Sequence, residues 1–416
     1  MTAASAVEAV FRIESARIIA GVARIVRDVG IAEELAQDAL VAALEQWPES
    51  GVPDNPGAWL MATAKHRAID LVRRRETYAR KLAEMGRDLD GVSGEPDPGA
   101  VDPDRIDDDL LRLIFTACHP VLSTDARIAL TLRLLGGLTT EEIARAFLTT
   151  EPAVAQRIVR AKRALGRAGV PFEVPYGPER AARLGSVLEV IYLVFNEGYA
   201  ATVGDDWLRP GLCEDALRLA RLLAGLMPRE PEAHGLAALL ELQASRTAAR
   251  TGPDGAPVLL ADQNRARWDR LLIRRGFAAL LRASETAAET GQALGPYALQ
   301  SAIAACHARA ARYEDTDWAA IVALYGRLAA LTPSPVVELN RAVAVSMAEG
   351  PAAGLVLVDA LAADPALKGY HLLPSVRGDL LERMGRTDEA RAAFVRAAEL
   401  TRNERERALL LGRAGR

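Results

Sequence analysis

The feature that most narrows the folds open to this chain is a hydrophobic period of about 3.6 residues that recurs from one end to the other, with almost no two-residue alternation. A segment with that period buries an apolar stripe along one helix face and leaves the rest wet. The chain is therefore expected to be all-α, its helices packed on one another. Half of the 416 residues are apolar and a quarter charged, ordinary values for a globular protein of several domains. Composition shifts mark the divisions. The Gly-, Pro- and Asp-rich run "MGRDLDGVSGEPDPGAVDPDRIDDD" at 85–109 marks a flexible acidic linker, placed at 79–108, and "GVPFEVPYGP" at 169–178 is a shorter break. The expected blocks are a small helical domain at 1–78, a second at 109–170, and a C-terminal half at 175–416.

Basic and acidic residues nearly balance, 51 against 55, so a contact with nucleic acid has to come from local clustering. One cluster is "PAVAQRIVRAKRAL" at 152–165, which has four cations and no acid. At 100° per residue Val154, Ile158, Ala161 and Leu165 fall on one face, with Gln156, Arg160, Arg163 and Arg167 roughly opposite. Taken alone, this is equally a helix with a solvated arginine face. The preceding "LTTEEIARAFLTTE" carries a capping box, Thr139 with Glu142, an apolar pair at Ile143 and Phe147, and a short turn into a helix with Pro152 in its first turn. That order is a helix-turn-helix, whose second helix enters the DNA major groove. Gln156 and Arg157 are placed to reach base edges, while Arg160, Lys162, Arg163 and Arg167 suit phosphates.

A second basic cluster is "NPGAWLMATAKHRAIDLVRRR" at 55–75, with Leu60, Ala64, Ala68 and Leu71 on one face and Thr63, His66, Asp70, Arg73 and Arg74 on another. Trp59, at the entry of this helix, is either a core residue or a platform for an unstacked base. His66 is either a surface histidine or a base contact. In the amphipathic helix at 30–47, Glu33, Glu34 and Asp38 complement the helix dipole or face a partner.

The C-terminal half has a faint rhythm. "RLLAGLMPREPEAHGLAALL" from 221 and "GRLAALTPSPVVELNRAVAV" from 326 share a helix, a Pro stop and a small-residue helix, and Pro228 and Pro333 lie close to three tetratricopeptide periods apart. "LLERMGRTDEARAAFVRAAEL" at 380–400 has the Gly turn and Ala/Phe spacing of closely packed antiparallel helices. Degenerate helical repeats are the expectation, with unrelated helix pairs the alternative. In "FNEGY", Asn196 and Glu197 mark either a polar pocket or a helix-end cap.

Several classes of function are disfavoured. Cys118, Cys213 and Cys306 are too scattered for a disulfide framework or a zinc site and read as buried thiols. There is no phosphate-binding Gly-Lys loop and no His-Glu-x-x-His motif, so no catalytic residue, cofactor or metal is expected and the protein is not expected to be an enzyme. Glu8 and Glu14 spoil a signal peptide, and no apolar run reaches membrane-spanning length, so the expected location is cytoplasmic with no membrane partner.

In order and spacing, "AEELAQDALVAALEQW", "AWLMATAKHRAIDLVRRR" and "LTTEEIARAFLTTEPAVAQRIVRAKRAL" together resemble the RNA polymerase sigma factors of the extracytoplasmic-function type. The resemblance covers about the first 170 residues. It implies core RNA polymerase and promoter DNA as partners, with Glu34, Gln37 and Asp38 facing the polymerase. It further implies Trp59, Thr63, Lys65, His66, Arg67, Arg73 and Arg74 at the −10 element, although many relatives have Asn where His66 stands. Gln156, Arg157, Arg160, Lys162, Arg163 and Arg167 would serve the −35 element. The remainder resembles a subgroup with a tetratricopeptide-like extension, expected to regulate the sigma core in cis and to take a peptide or protein partner. The alternative is a helix-turn-helix regulator with a repeat-like sensor that works without polymerase and would not need the N-terminal block.

Overall fold

The computed structural model describes residues 3–85, 103–147, 149–200, 208–253 and 255–415. Among them every extended regular element is a helix; the β features are isolated bridge positions, one pair being Thr251 and Pro257. The chain divides into two compact units, Met1–Val190 and Ile191–Arg416.

In the first unit, α1 (Ala3–Val26), α2 (Val29–Ser50) and α3 (Pro56–Met85) pack on each other. Ala32, Ala36, Ala39 and Ala43 form the inner stripe of α2, and their small side chains let it lie close to the buried Ile18, Ile19 and Val22 of α1 and Leu60 of α3. The α1–α2 turn puts Arg27 in the left-handed region at φ 54°, and Asp28 then caps α2, its Oδ1 accepting from the N–H groups of Gly30 (2.7 Å) and Ile31 (3.0 Å). The second small domain comprises α4 (Pro103–Ala117), α5 (Thr124–Leu134), α6 (Thr140–Ala146) and α7 (Glu151–Arg167), and α4 packs on α1 as well as on α5.

Helices occupy both of the expected boundary regions. Helix α3 runs past residue 78 and α4 begins at Pro103, so helix occupies both ends of the expected linker at 79–108; residues 86–102 lie outside the described residues. The first half of α8 (Gly177–Tyr199) packs within the first compact unit, which ends at Val190. Ser186 Oγ donates to the Cys118 carbonyl at 2.7 Å, and Arg127 bridges Ser186 and Glu189. These ties give the backbone at the end of α4 a partner away from water.

The second unit continues with α9 (Pro210–Leu226), α10 (Pro231–Ala244), α11 (Arg270–Thr290), α12 (Pro296–Arg309), α13 (Trp318–Leu331), α14 (Pro335–Ala348), α15 (Pro351–Leu361), α16 (Leu372–Arg383), α17 (Thr387–Leu400) and α18 (Glu404–Ala414). Most pack chiefly on their neighbours in sequence, but α12 packs more closely on α10 than on α11. The close approach expected near 380–400 lies between α16 and α17, where Gly378 faces the buried Phe394 ring so tightly that a Cβ would sit 2.7 Å from it. Glu197 in the last turn of α8 pairs with Arg209, and Tyr199 stacks on the buried Phe195.

Candidate nucleic-acid interface

Local sequence builds the second domain's exposed surface. Thr139 Oγ1 accepts from the Glu142 N–H (3.1 Å) and Glu142 Oε2 accepts from the Thr139 N–H (2.8 Å), which closes the capping box and starts α6. Thr140 Oγ1 donates to Glu151 Oε1 at 2.8 Å and ties α6 to the first turn of α7. Val154, Ile158, Ala161 and Leu165 are all buried, so α7 is docked along that stripe. Gln156, Arg160, Arg163 and Arg167 are exposed on the other side. Among them stands Val159, 43% exposed, which the sequence reading passed over. Its signal was available: an apolar side chain three positions after Gln156 on an otherwise polar face, where it can meet a thymine methyl.

Two members of the expected set are placed differently. Arg157 is half-buried, with its guanidinium 3.5 Å from Asp125 on α5. Lys162 points away from the exposed arginines; its ammonium is 2.5 Å from Glu33 on α2. Glu33 itself is buried and not one of the exposed acids at the helix start.

In the first domain, Trp59 is half-buried and meets the buried Trp47 edge to face, ring centroids 5.5 Å apart. His66, Arg73 and Arg74 are exposed, while Thr63, Lys65 and Arg67 are half-buried. Burial, and then the Arg24 guanidinium, lower the Lys65 pKa against the opposing pull of Asp109. Asp70, Arg73, Arg74, Thr77 and Tyr78 line an open depression of about 460 Å³. Tyr78, 66% exposed, presents an aromatic ring beside that depression; it lies just past the basic cluster at 55–75 that the sequence singled out. On α2, Glu34 and Asp38 are exposed and Gln37 half-buried, and they continue into exposed Val41 and Leu44, an acidic and apolar stripe at helical spacing. Asp38 lies 3.6 Å from Arg67, so the expected polymerase-facing and −10-facing sets adjoin.

The thiols take no part in these surfaces. Cys118 and Cys213 are buried and Cys306 half-buried; burial pushes the first two up to about 11 and about 12. No helix among the described residues is long and apolar enough to cross a membrane.

A three-helix domain with a basic outer helix, followed by a capped helix-turn-helix with an arginine-lined second helix, is the arrangement of a DNA-binding protein. Residues 11–77 match the family description "Sigma-70 region 2" and residues 112–165 match "Sigma-70, region 4". The chain is 29% identical over 154 residues to the ECF RNA polymerase sigma factor SigK of Mycobacterium ulcerans (strain Agy99), a stretch that covers 36% of this chain and 78% of that protein. The chain belongs to the sigma-70 family, in its extracytoplasmic-function type. Residues 183–284 match a family of unknown function (DUF6596). An uncharacterized protein of Rhizobium meliloti (strain 1021) is 47% identical over 394 residues, 93% of this chain and 90% of that protein, so the similarity extends through both units.

Proposed function

We propose that this protein is a dissociable initiation factor that brings core RNA polymerase to particular promoters and has no catalytic step of its own. It acts in the cytoplasm, with polymerase and promoter DNA as its partners. The observation that carries the reading is the recognition helix: a stripe of four buried apolar residues with Gln156, Arg160, Arg163 and Arg167 exposed opposite it. Gln156 and Arg157 read base edges at the −35 element, and Arg160, Arg163 and Arg167 hold phosphates. Trp59, Thr63, Lys65, His66, Arg67, Arg73 and Arg74 serve the −10 element, and Glu34, Gln37 and Asp38 meet the polymerase. Purified protein should co-elute with core polymerase and confer initiation on a subset of a promoter library. Tight operator binding without polymerase, together with no core association, would place it among helix-turn-helix regulators instead.

The C-terminal half regulates that activity in cis. Helices that pack in succession build extended surfaces suited to a peptide or another domain, as tetratricopeptide-like arrays do, and a tethered module acts at high effective concentration. A chain ending at Val190, where the first compact unit ends, should still bind polymerase but initiate at a changed rate. Equal initiation by the short and full chains under every condition tried would make the second unit a passenger.

A further inference from the structure

Arginines on the helices of the second unit are commonly matched with an acid three positions away. Arg341 pairs with Glu338 (2.7 Å), Arg386 with Glu389 (2.7 Å) and Arg396 with Glu399 (2.8 Å), and in the second half of α11 Arg282 pairs with Glu285 (3.3 Å). The start of α11 departs from that pattern. "RARWDRLLIRR" at 265–275 holds five arginines, no lysine and one acid, Asp269. Asp269 is engaged by the backbone, where its Oδ1 accepts from the N–H groups of Leu271 (2.8 Å) and Leu272 (3.0 Å) and caps the helix. Arg267, Arg270, Arg274 and Arg275 are all exposed, and none has a carboxylate within ion-pair distance among the described residues.

Neither ordinary reason for an exposed helical arginine applies to these residues. No acid stands three or four positions from Arg270, Arg274 or Arg275. The helix dipole also disfavours cations at a helix start, where α10, α17 and α18 carry acids instead. The segment is nevertheless firmly held. Trp268 is 3% exposed, the Asp269 N–H donates to the Ser245 carbonyl at 2.8 Å, and the Arg265 guanidinium lies 4.6 Å from the centre of the Trp268 ring. Ile273, Gly276 and Ala283 belong to the buried stripe of α11, and a Cβ on Gly276 would come within 2.6 Å of Leu242, so α11 lies closely on α10 with Arg270, Arg274 and Arg275 on its outer face.

We propose that the start of α11 is a second contact with duplex DNA, through which the C-terminal unit holds phosphates flanking the −35 element. The proposal rests on the promoter reading given above, because the helix-turn-helix is what tethers this unit to DNA at high effective concentration. A rise of about 1.5 Å per residue puts Arg270 and Arg274 about 6 Å apart along the helix, near the roughly 6.8 Å between alternate phosphates of one strand. The planar fork of arginine pairs with phosphate oxygens two at a time, and side chains on a segment already fixed in place lose less freedom on binding. Such contacts carry no sequence choice and add affinity and salt dependence. Leu271, 46% exposed in the same face, is what an acidic amphipathic peptide would use, and that partner is the competing outcome.

Fluorescence anisotropy on the full chain tests the contact with two labelled duplexes, one covering only the −35 element and one extended on each side by about 20 base pairs, two helical turns. On the extended duplex, log K against log salt should be steeper by about 2.7 for the unaltered chain than for the chain carrying Arg270→Ala, Arg274→Ala and Arg275→Ala, at about 0.9 for each phosphate. Between about 50 and 200 mM salt that is a further loss of about 40-fold. On the short duplex the two chains should agree. Lysine at the same three positions should keep the steep slope, because the slope counts charges, and the alanine chain should melt no lower than the unaltered one, because it removes cations from a helix start. Equal slopes on the extended duplex, or a lysine chain that behaves like the alanine chain, would overturn the proposal. A poly-glutamate peptide that binds the unaltered chain but not the alanine chain, with duplex binding the same in both, would assign the face to an acidic partner instead. A further chain separates this contact from the promoter reading. With Arg160→Ala, Arg163→Ala and Arg167→Ala it should still bind the extended duplex without sequence preference, and adding the three α11 alanines should weaken that binding at least about tenfold. If the unaltered chain shows no preference for the −35 element, the promoter reading fails, and this last pair of chains still decides whether α11 holds DNA; no difference between them would overturn the contact.

Discussion

Replacing Arg163 with alanine removes one of three cations on the exposed face of α7, along with Arg160 and Arg167, that have no carboxylate within ion-pair distance among the described residues. Arg157 faces Asp125 and Lys162 faces Glu33, so neither is free to replace a counterion on DNA without first leaving its partner. Each neutralised phosphate contributes about 0.9 to the slope of log K against log salt. Three contacts give a slope of about −2.7 for the unaltered protein on a −35 duplex, and about −1.8 for Arg163→Ala. Between about 50 and 200 mM salt the affinity should then fall about 40-fold for the first and about 12-fold for the second. Glu33→Gln, by releasing Lys162, should steepen the slope to about −3.6. Fluorescence anisotropy with a labelled duplex over that salt range measures all three. A slope unaltered in Arg163→Ala would refute the assignment of phosphate contact. So would a slope near about −4.5 for the unaltered protein, which requires all five cations of the segment to reach DNA at once.

Arg157→Ala should cost about 1–3 kcal/mol at a single −35 base pair and little elsewhere, because its pair with Asp125 is largely exposed; equal weakening across a duplex panel would contradict a base-reading role. Phe394→Ala should destabilise the second unit by about 3–5 kcal/mol, since the ring is 1% exposed and fills the space over Gly378; a thermal melt by circular dichroism within about 0.5 kcal/mol of the unaltered protein would argue against that packing. Acid should weaken the C-terminal end through Glu406. Burial alone would raise its pKa, but hydrogen bonds from His371 and Thr401 outweigh that and hold the carboxyl below its ordinary range. A depressed folded-state pKa contributes stability that is complete above the unfolded value of about 4.3 and disappears as pH falls through the folded one. Glu406→Gln should therefore flatten the acid limb of the stability profile below about pH 4, and an unchanged limb would exclude Glu406 as its source.

Much of the candidate site was legible because it depends on neighbours within one or two helical turns. The docked stripe Val154, Ile158, Ala161 and Leu165 follows from the 3.6-residue period, and the Thr139–Glu142 box from the reach of two side chains across one turn. The same local logic shows its limit at α3. Beyond Arg75, Tyr78, Leu82 and Met85 keep the helical spacing of an apolar stripe and the helix does run on to Met85, yet Tyr78 is 66% exposed, because spacing alone does not decide whether a stripe finds a packing partner.

By itself the sequence determined the helical class, the capping box of α6, the inner and outer faces of α7, and the order of the two promoter domains. These depend on contacts between residues a few positions apart, whose geometry the backbone dictates. Tertiary structure alone decided the environment of Glu33 and Lys162. On local grounds one is an acid near a helix start and the other a basic residue on a DNA-reading helix, and only the meeting of α2, α5 and α7 makes them partners. It also decided that the first half of α8 packs in the first unit, where the Cys118 carbonyl takes its hydrogen bond from Ser186, 68 positions further along the chain. Charge pairing and backbone satisfaction act through space, and no pattern of spacing along the chain encodes which distant group will arrive.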